Sequence, residues 1–299
     1  MIQIKPHLAT DVCWEKLKFP VYATRKIDGV RMLNVGGKAV GRSLKPHANK
    51  YVTTLFSLPE LEGLDGEVTF GHTTSDSLCR DTTGALNRIE GSPVVFWHIF
   101  DYIHPEWVDK PYTDRLMAAA KVVEKFPEMN IAVLDDYLIS NLEEAQAFYQ
   151  ESLDLGYEGA IFRNNNPHKS GRCTVNEGSY LRAKPSSDKE AVVISLVEAM
   201  ENQNEVKVNA LGRTERSSHK ENKVGKGMIG MLQCRDVATG MLIDVGAGKM
   251  THSEREYFWN NPQEIVGKFV KYRSLDTGIK SAPRFARYIC MRAEADMSE

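Results

Sequence analysis

The segment FPVYATRKIDGVR, residues 19–31, joins a strand-like run to a charged turn. Its β-branched and aromatic residues at 19–24 predict a short strand, and Lys26 stands just after that run. A lysine becomes a nucleophile only after it loses its proton, and we expect a strand-to-loop position near other cations to lower the pKa of Lys26. Alone, the K-x-D-G string is a weak signal, because it occurs by chance in roughly one chain in fifteen of this length.

The rest of the first half alternates between strands and helices. Residues 94–102 and 159–163 are short apolar runs bounded by charges or glycine, which predict strands. Residues 111–126 follow a helical spacing after a proline, and residues 141–156 open with Asn and Glu in capping-box spacing. This mixture predicts an α/β or α+β domain of mixed strands and a few helices.

A change of pattern from about Asp188 indicates a second domain. Five short strand-like segments and one helical segment, residues 251–261, follow one another there. That inventory is typical of an OB-type β-barrel. We therefore predict an α+β chain of two domains, with a mixed α/β domain over residues 1–186 and a β-barrel OB-fold domain over residues 187–299.

Composition limits the possible classes of function. With 42% hydrophobic and 26% charged residues, the 299-residue chain is typical of a globular protein. It contains no apolar run of the length that a membrane-spanning helix needs, and its N-terminus lacks a long apolar signal segment. We therefore expect a cytoplasmic protein with no membrane partner. The five cysteines form no C-x-x-C pair, which argues against a zinc module and against a disulfide framework.

The net charge of the chain does not indicate a polyanionic partner. The formal charge is −2 overall; residues 1–187 carry 21 Lys+Arg against 24 Asp+Glu, and residues 188–299 carry 17 against 16. A nucleic-acid interface must therefore come from local clusters.

Further charged and glycine-containing motifs follow Lys26 in order along the first half. They are Gly41-Arg42-Ser43, Asp65-Gly66-Glu67, Phe100-Asp101-Tyr102, Glu158-Gly-Ala-Ile-Phe-Arg163 and Tyr180-Leu-Arg-Ala-Lys-Pro185. The series resembles the covalent nucleotidyltransferase superfamily of ATP-dependent DNA ligases, RNA ligases and mRNA capping enzymes. It is most similar to the small viral and phage-type DNA ligases, and residues 284–296 resemble the last motif of that family. The resemblance covers essentially the full length and implies an ATP-grasp-like nucleotidyltransferase domain before the OB-fold domain.

The resemblance implies roles for the residues that match the nucleotide-binding motifs. Lys26 would attack the α-phosphate of ATP and form a lysyl-AMP adduct. Arg31 and Glu67 would hold the ribose side of the nucleotide, and Phe100 would stack on adenine. Glu67 and Glu158 are the carboxylates implied for a divalent cation, Mg²⁺ or Mn²⁺.

The remaining matches imply contacts to phosphates and to the nick. Arg182 and Lys184 would grip the α-phosphate from one face of a strand, although the family usually has Lys at the first of these two positions. Asp28 would act at the nick in the later steps. The resemblance also implies that Arg284 and Arg292 orient the pyrophosphate leaving group.

Three places are candidates for contact with DNA. Arg42 would contact a phosphate, and Arg172 is a candidate contact at the nick. Residues 209–227 predict one long polar loop with five basic residues, and in the small viral ligases a loop at this place closes around DNA. Arg213, Arg216, Lys220 and Lys223 are its candidate DNA-binding residues. A solvated surface loop is the alternative.

The resemblance as a whole predicts an ATP-dependent DNA ligase that acts as a monomer on nicked duplex DNA. ATP is expected over NAD⁺, because NAD⁺-dependent ligases add an N-terminal module and a cysteine zinc site that this sequence lacks. An ATP-dependent RNA ligase is the nearest alternative, and a GTP-using capping enzyme is more distant. A non-catalytic nucleic-acid-binding protein of the same fold is the alternative from a different class.

Overall fold

The computed structural model describes residues 4–275 and 283–292. The chain divides into two compact units, Met1–Lys184 and Pro185–Glu299. In the first unit the strands are β1 (His7–Leu8), β2 (Thr10–Asp11), β3 (Val21–Lys26), β4 (Val30–Val35), β5 (Lys38–Gly41), β6 (Leu64–Thr69), β7 (Phe96–Tyr102), β8 (Ile131–Val133), β9 (Tyr137–Ile139), β10 (Gly159–Arg163), β11 (Gly171–Arg172) and β12 (Tyr180–Ala183). The helices are α1 (Lys50–Phe56), α2 (Leu78–Asn87), α3 (Tyr112–Val123) and α4 (Leu142–Asp154).

Two five-stranded sheets form the framework of the first unit. Their strand orders are β2-β12-β10-β3-β9 and β5-β4-β6-β7-β8, and β1 pairs separately with β11. Strands β3 and β4 belong to different sheets, so the three-residue turn at 27–29 carries the chain from one sheet to the other. The K-x-D-G motif therefore stands at the junction of the two sheets.

Each sheet has its own hydrophobic core. The core of the second sheet contains Trp97 and Phe56, whose ring centroids lie 5.2 Å apart, and residues of α3. The core of the first sheet contains Phe162 together with Phe148 of α4. Burial of these large apolar side chains is the main force that holds helices against sheets.

The predicted helices of the first unit are confirmed, with slightly shorter limits. Helix α4 begins after Asn141, whose side-chain oxygen accepts the backbone N–H of Glu144 at 2.9 Å, and Gly156 follows its end with a φ of 87°. Such an N-cap and a left-handed glycine are ordinary helix limits. The mixed α/β fold class is also confirmed. No helix in the described ranges has the length and apolar character that crossing a membrane requires.

The second unit is built mainly from strands. They are β13 (Ser187–Asn202), β14 (Val206–Val208), β15 (Thr214–Arg216), β16 (Lys223–Asp236), β17 (Leu242–Gly246), β18 (Phe269–Leu275) and β19 (Arg284–Arg292). Five of them close a barrel in the order β13-β16-β17-β19-β18. Helix α5 (His252–Asn260) begins at a capping box made by Thr251 and Glu254. Residues 251–261 were predicted as a helix, and this prediction is confirmed.

The prediction of one long loop over residues 209–227 is wrong. Strands β14 and β15 pair as a hairpin whose turn contains Asn209, and its side-chain oxygen accepts the backbone N–H groups of Leu211 and Arg213 at 3.0 Å each. Strand β16 begins at Lys223 and pairs with the end of β13. Only residues 217–222 between these elements lack regular structure. The valines at 206 and 208 and the Asn turn were the signals of a hairpin, and the polar composition obscured them.

Candidate active site

Strand register brings Lys26 and Glu158 together. Lys26 ends β3 and lies opposite Gly159, the first residue of the antiparallel strand β10. The backbone N–H of Glu158 donates to the carbonyl oxygen of Lys26 at 3.0 Å. Their side chains form an ion pair, in which the Nζ of Lys26 donates to the Oε2 of Glu158. Two motifs that are 132 residues apart in sequence thus meet at one point.

The expectation of a lowered pKa for Lys26 is wrong for this structure. Burial lowers the pKa of Lys26, but the carboxylates of Glu158, Glu67 and Asp28 outweigh it, and the pKa stands above its ordinary value. Cations were expected to surround the lysine, whereas its nearest charged neighbours are acids. Lys26 is therefore held as a protonated ammonium ion in this state.

Two glycines let the backbone come close around this centre. A Cβ at Gly29 would lie 2.4 Å from the carbonyl oxygen of Val68 and 2.9 Å from Cγ of Glu67. A Cβ at Gly66 would lie 2.3 Å from the carbonyl oxygen of His98. The glycines of K-x-D-G and D-G-E are therefore required by close packing of strands.

Glu67 lies on the second sheet and acts electrostatically on Lys26 and Glu158. It lies on β6 opposite Arg31 of β4. Burial raises the pKa of Glu67 to about 7, against the opposing effect of Lys26 and Arg31, and the charges of Glu158 and Asp28 add to the rise. The mutual influence of these three acids shows that they share one electrostatic environment with Lys26.

Phe100 lies beside two guanidinium groups. The Cζ atoms of Arg31 and Arg163 are 5.2 Å and 5.1 Å from its ring centroid. Arg31 also donates to both carboxylate oxygens of Asp65, at 2.9 Å and 2.5 Å, and to the carbonyl oxygen of His7 at 2.6 Å. The guanidinium of Arg31 is thus held within the protein, and its contact with a ribose stays a prediction.

A buried charge cluster beneath Phe100 was missed as a functional feature in the sequence. Asp101 is 1% exposed and accepts from Arg115 at 2.8 Å and 3.2 Å and from Arg163 at 2.8 Å. Burial raises the pKa of Asp101, but Arg163 and Arg115 outweigh it and hold this pKa well below its ordinary value. The Cζ of Arg163 also lies 3.9 Å from the ring centroid of Tyr180. The signal was a charged residue inside each of two apolar strands, β7 and β10.

A cavity of about 370 Å³ opens at this place. Its lining includes Lys26, Phe100 and Glu67, the only acidic residue among the lining residues. Seven basic residues line it: Arg25, Lys26, Arg31, Arg42, Arg163, Arg172 and Arg182. A concave site with an aromatic ring and an excess of positive charge suits a ligand with a flat base and several phosphates.

The residues predicted to bind phosphate lie in or next to the cavity. Arg42, Arg172 and Arg182 line it, and Lys184 lies 3.9 Å from Glu158. Burial lowers the pKa of Lys184, Glu158 opposes this effect, and Arg182 and Lys26 add to it. The structure therefore brings together all predicted site residues of the first unit.

The other predicted residues belong to the second unit. Arg284 and Arg292 begin and end β19, and Arg292 donates to Glu190 at 2.9 Å. Residues 293–296 of the last predicted motif lie outside the described residues. Arg213, Arg216, Lys220 and Lys223 lie on or beside the β14–β15 hairpin and at the start of β16.

Two carboxylates are available for a divalent cation. Glu158 lies close enough to raise the pKa of Glu67, and the described residues contain no group of three or more His, Cys, Asp or Glu side chains that could hold a metal ion. Mg²⁺ is commonly held by one or two carboxylates together with substrate phosphates and water. The oxygen donors of Glu67 and Glu158 fit that arrangement.

The fold and the lysine-centred cavity can be compared with those of known proteins. No model of a known protein family matches the sequence. The structure is similar to that of Chlorella virus DNA ligase-adenylate, with 27% sequence identity, coverage of 98% of this chain and 99% of that one, and a TM-score of 0.53. The predicted resemblance to small ATP-dependent DNA ligases is confirmed.

Two further proteins are similar over different extents. The DNA ligase of Thermococcus onnurineus (strain NA1) is 23% identical over 214 residues, which are 68% of this chain and 36% of that protein. This chain thus spans about a third of the length of that curated relative. A structure of Lig E DNA ligases is 18% identical, with coverage of 97% of this chain and 100% of that one and a TM-score of 0.69, and this likeness bears on the fold alone.

Proposed function

We propose that this protein is an ATP-dependent DNA ligase that seals nicks between a 5′-phosphate and a 3′-hydroxyl in duplex DNA. Residues 1–186 act as the nucleotidyltransferase domain, and residues 187–299 act as an OB-fold domain. The observation that carries the proposal is Lys26, held by Glu158 at a cavity that combines Phe100 with seven basic residues.

The first step joins Lys26 to AMP. The lone pair of Nζ attacks the α-phosphorus of ATP, a P–N bond forms, and the bond to the bridging oxygen breaks as pyrophosphate leaves with its electron pair. Lys26 must lose a proton before this attack. Glu158 is the group in contact with Nζ, so this ion pair must open before the attack.

The basic lining of the cavity supports the same step. Negative charge on the oxygens of the α-phosphate is neutralised by Arg182 and Lys184, which is the main way in which proteins accelerate phosphoryl and nucleotidyl transfer. Phe100 supplies a flat face for adenine. Its position is held by the guanidinium groups of Arg31 and Arg163, which are themselves fixed by buried acids.

Glu67 and Glu158 would hold Mg²⁺ or Mn²⁺. When bound, the cation would neutralise charge on these carboxylates and on phosphate oxygens. Glu158 and Glu67 are the main reasons that the pKa of Lys26 is high. A bound cation that neutralised them would lower this pKa toward the range in which Nζ is a nucleophile.

The later steps use DNA. AMP passes from Lys26 to the 5′-phosphate of the nick, a new P–O bond forms, and the P–N bond breaks. The 3′-hydroxyl then loses its proton and attacks that phosphate, a P–O bond to the 3′-oxygen forms, and the bond to AMP breaks as AMP leaves with its electron pair. Arg42 and Arg172 contact phosphates at the nick, and Asp28 acts in these two steps. Arg284 and Arg292 orient the pyrophosphate in the first step.

The deciding experiment is sealing of a 5′-phosphorylated nicked duplex by the whole chain with Mg²⁺ and either ATP, GTP, NAD⁺ or no nucleotide. Intact mass of the protein is followed in parallel. We expect sealing with ATP alone and an AMP adduct that is absent from Lys26→Ala. Lys16→Ala removes an exposed lysine and should leave both results unchanged.

The outcomes separate the alternatives. An AMP adduct without sealing of DNA would reject the DNA ligase and direct the test to nicks with RNA strands. An adduct formed only from GTP would indicate a capping enzyme. No adduct from any nucleotide would reject the covalent mechanism.

A further inference from the structure

Three arginines that line the cavity are held by one short N-terminal segment. Arg31 donates from Nη1 to the carbonyl oxygen of His7 at 2.6 Å, and Arg172 donates from Nη1 to the carbonyl oxygen of Ala9 at 2.7 Å. Arg182 donates from Nε to the Oδ1 of Asp11 at 2.6 Å. The contacts fall on every second residue, as the alternation of an extended chain allows.

The third contact differs from the other two because its acceptor is a side chain. Strands β2 and β12 are parallel, and Asp11 lies in register with Arg182. The backbone N–H of Val12 donates to the carbonyl oxygen of Arg182 at 2.9 Å, which fixes the register next to the pair. Asp11 also acts on Lys184, whose pKa it raises against the stronger lowering effect of burial. Asp11 is thus an acidic residue beside Arg182 and Lys184, the two residues proposed to bind the α-phosphate.

We propose that Asp11 is a positioning residue for Arg182 in the reaction with ATP. This inference rests on the proposed function. The bond from Nε fixes the plane of the guanidinium and turns its two Nη groups into a preset fork for a phosphate. A carboxylate that only neutralised charge would weaken the binding of ATP, whereas a carboxylate that orients the fork accelerates the transfer.

The proposal depends on the difference between arginine and lysine. A guanidinium can bond Asp11 with one edge and a phosphate with the other. A lysine at position 182 has one compact ammonium group, and Asp11 would then compete with the phosphate for it. Asp11 is therefore useful only while position 182 is arginine, and it is harmful to a lysine there.

A double-mutant cycle tests whether the effect of Asp11 on the rate has opposite signs with arginine and with lysine at position 182. The single-turnover rate of AMP transfer to Lys26 and the KM for ATP are measured with Mg²⁺ for the wild type, Asp11→Asn, Arg182→Lys and the double variant. We expect Asp11→Asn to slow the wild-type protein about three- to tenfold, since the Asp11 side chain is largely exposed and water weakens its bond to Arg182. We expect the same change to accelerate Arg182→Lys.

The control is another arginine of the cavity with an exposed acidic partner. Arg25 donates to Glu151 at 3.0 Å, and Glu151 is not on the N-terminal segment. Glu151→Gln should leave the rate unchanged, and thermal unfolding should show that Asp11→Asn is folded.

Three results would overturn the proposal. One is the same factor from Asp11→Asn in both backgrounds, another is an effect on KM alone, and the third is an equal effect from Glu151→Gln. If the wild type forms an AMP adduct and the cycle shows no change of sign, only this inference fails. If the wild type forms no adduct, the proposed function fails.

Discussion

The cavity and the basic ribbon of the second unit both carry positive charge, but they hold it in opposite ways. In the cavity Arg31 and Arg163 are fixed by the buried acids Asp65 and Asp101. In the ribbon, which we call the arm and define as residues 206–227, six basic residues stand against two acidic ones, and Lys220 and Lys226 are exposed. The arm consists of the β14–β15 hairpin and the start of β16, which pairs with the end of β13.

The difference indicates what each region recognises. Buried arginines in a fixed plane favour one geometry of ligand, because a misplaced partner would leave a desolvated charge unpaired. Exposed lysines attract phosphates at many positions and are screened by salt. We therefore expect single changes in the cavity to have large effects and single changes in the arm to have small ones.

The largest effect is expected at the buried charge cluster around Asp101. Asp101→Asn should lower the free energy of unfolding by about 3–5 kcal/mol, because it leaves Arg115 and Arg163 buried without their counter-charge. Urea denaturation measures this loss. As a control, Glu90→Gln removes one partner of the exposed pair with Lys50 and should cause no measurable change. Equal effects of the two variants would remove the distinction between buried and exposed charge.

A smaller effect concerns the pH dependence of stability. The pKa of Glu67 is raised to about 7 in the folded protein, so the folded state binds more protons than the unfolded state between pH 4.5 and 7. Stability should therefore fall as pH rises through this range, and Glu67→Gln should lack that fall. We expect the free energy of unfolding of the variant, compared with that of the wild type, to rise by on the order of 1 to 3 kcal/mol from pH 4.5 to pH 8. Denaturation at both pH values is the measurement, and a constant difference would contradict a buried, protonatable Glu67.

The smallest effects per residue are expected in the arm. Each substitution of Arg213, Lys220 or Lys226 by alanine should weaken binding of a nicked duplex slightly and reduce the slope of log affinity against log salt by about one. Fluorescence anisotropy over a range of salt concentrations measures this slope.

The arm prediction has a matched control in the first unit. Alanine at the exposed residues Lys110, Lys121 and Lys125 removes the same charge. If this triple variant reduces the slope as much as combined alanine substitution of Arg213, Lys220 and Lys226 does, the arm is no more than a solvated surface.

Local sequence signals were enough for most of the fold. The helix that follows Asn141 and the strand at 159–163 could be read from caps and apolar runs, because neighbouring residues determine them. The motif series predicted that Lys26, Glu67 and Glu158 belong to one site. The hairpin at 206–216 was not found, because a few polar residues around one turn give little periodicity.

The chemistry of the site needed the structure where it depends on pairing across sheets. The high pKa of Lys26 follows from Glu158, which strand register places beside it, and no local pattern reports that register. No role was predicted for Asp11 or Asp65, because each acts only by orienting an arginine that is distant in the sequence. Residues distant in sequence set the protonation and direction of the residues that the motifs name.

The ion pair between Lys26 and Glu158 also has a consequence for the protein between rounds of reaction. A protonated amine has no lone pair, so Lys26 is protected in this state from acetyl donors, aldehydes and other stray electrophiles. The ion pair that must open before catalysis therefore also keeps Lys26 unreactive between rounds of reaction. An amine-reactive reagent at neutral pH should modify the exposed lysines of the arm well before it modifies Lys26. The order of labelling would show whether the ion pair between Lys26 and Glu158 is formed.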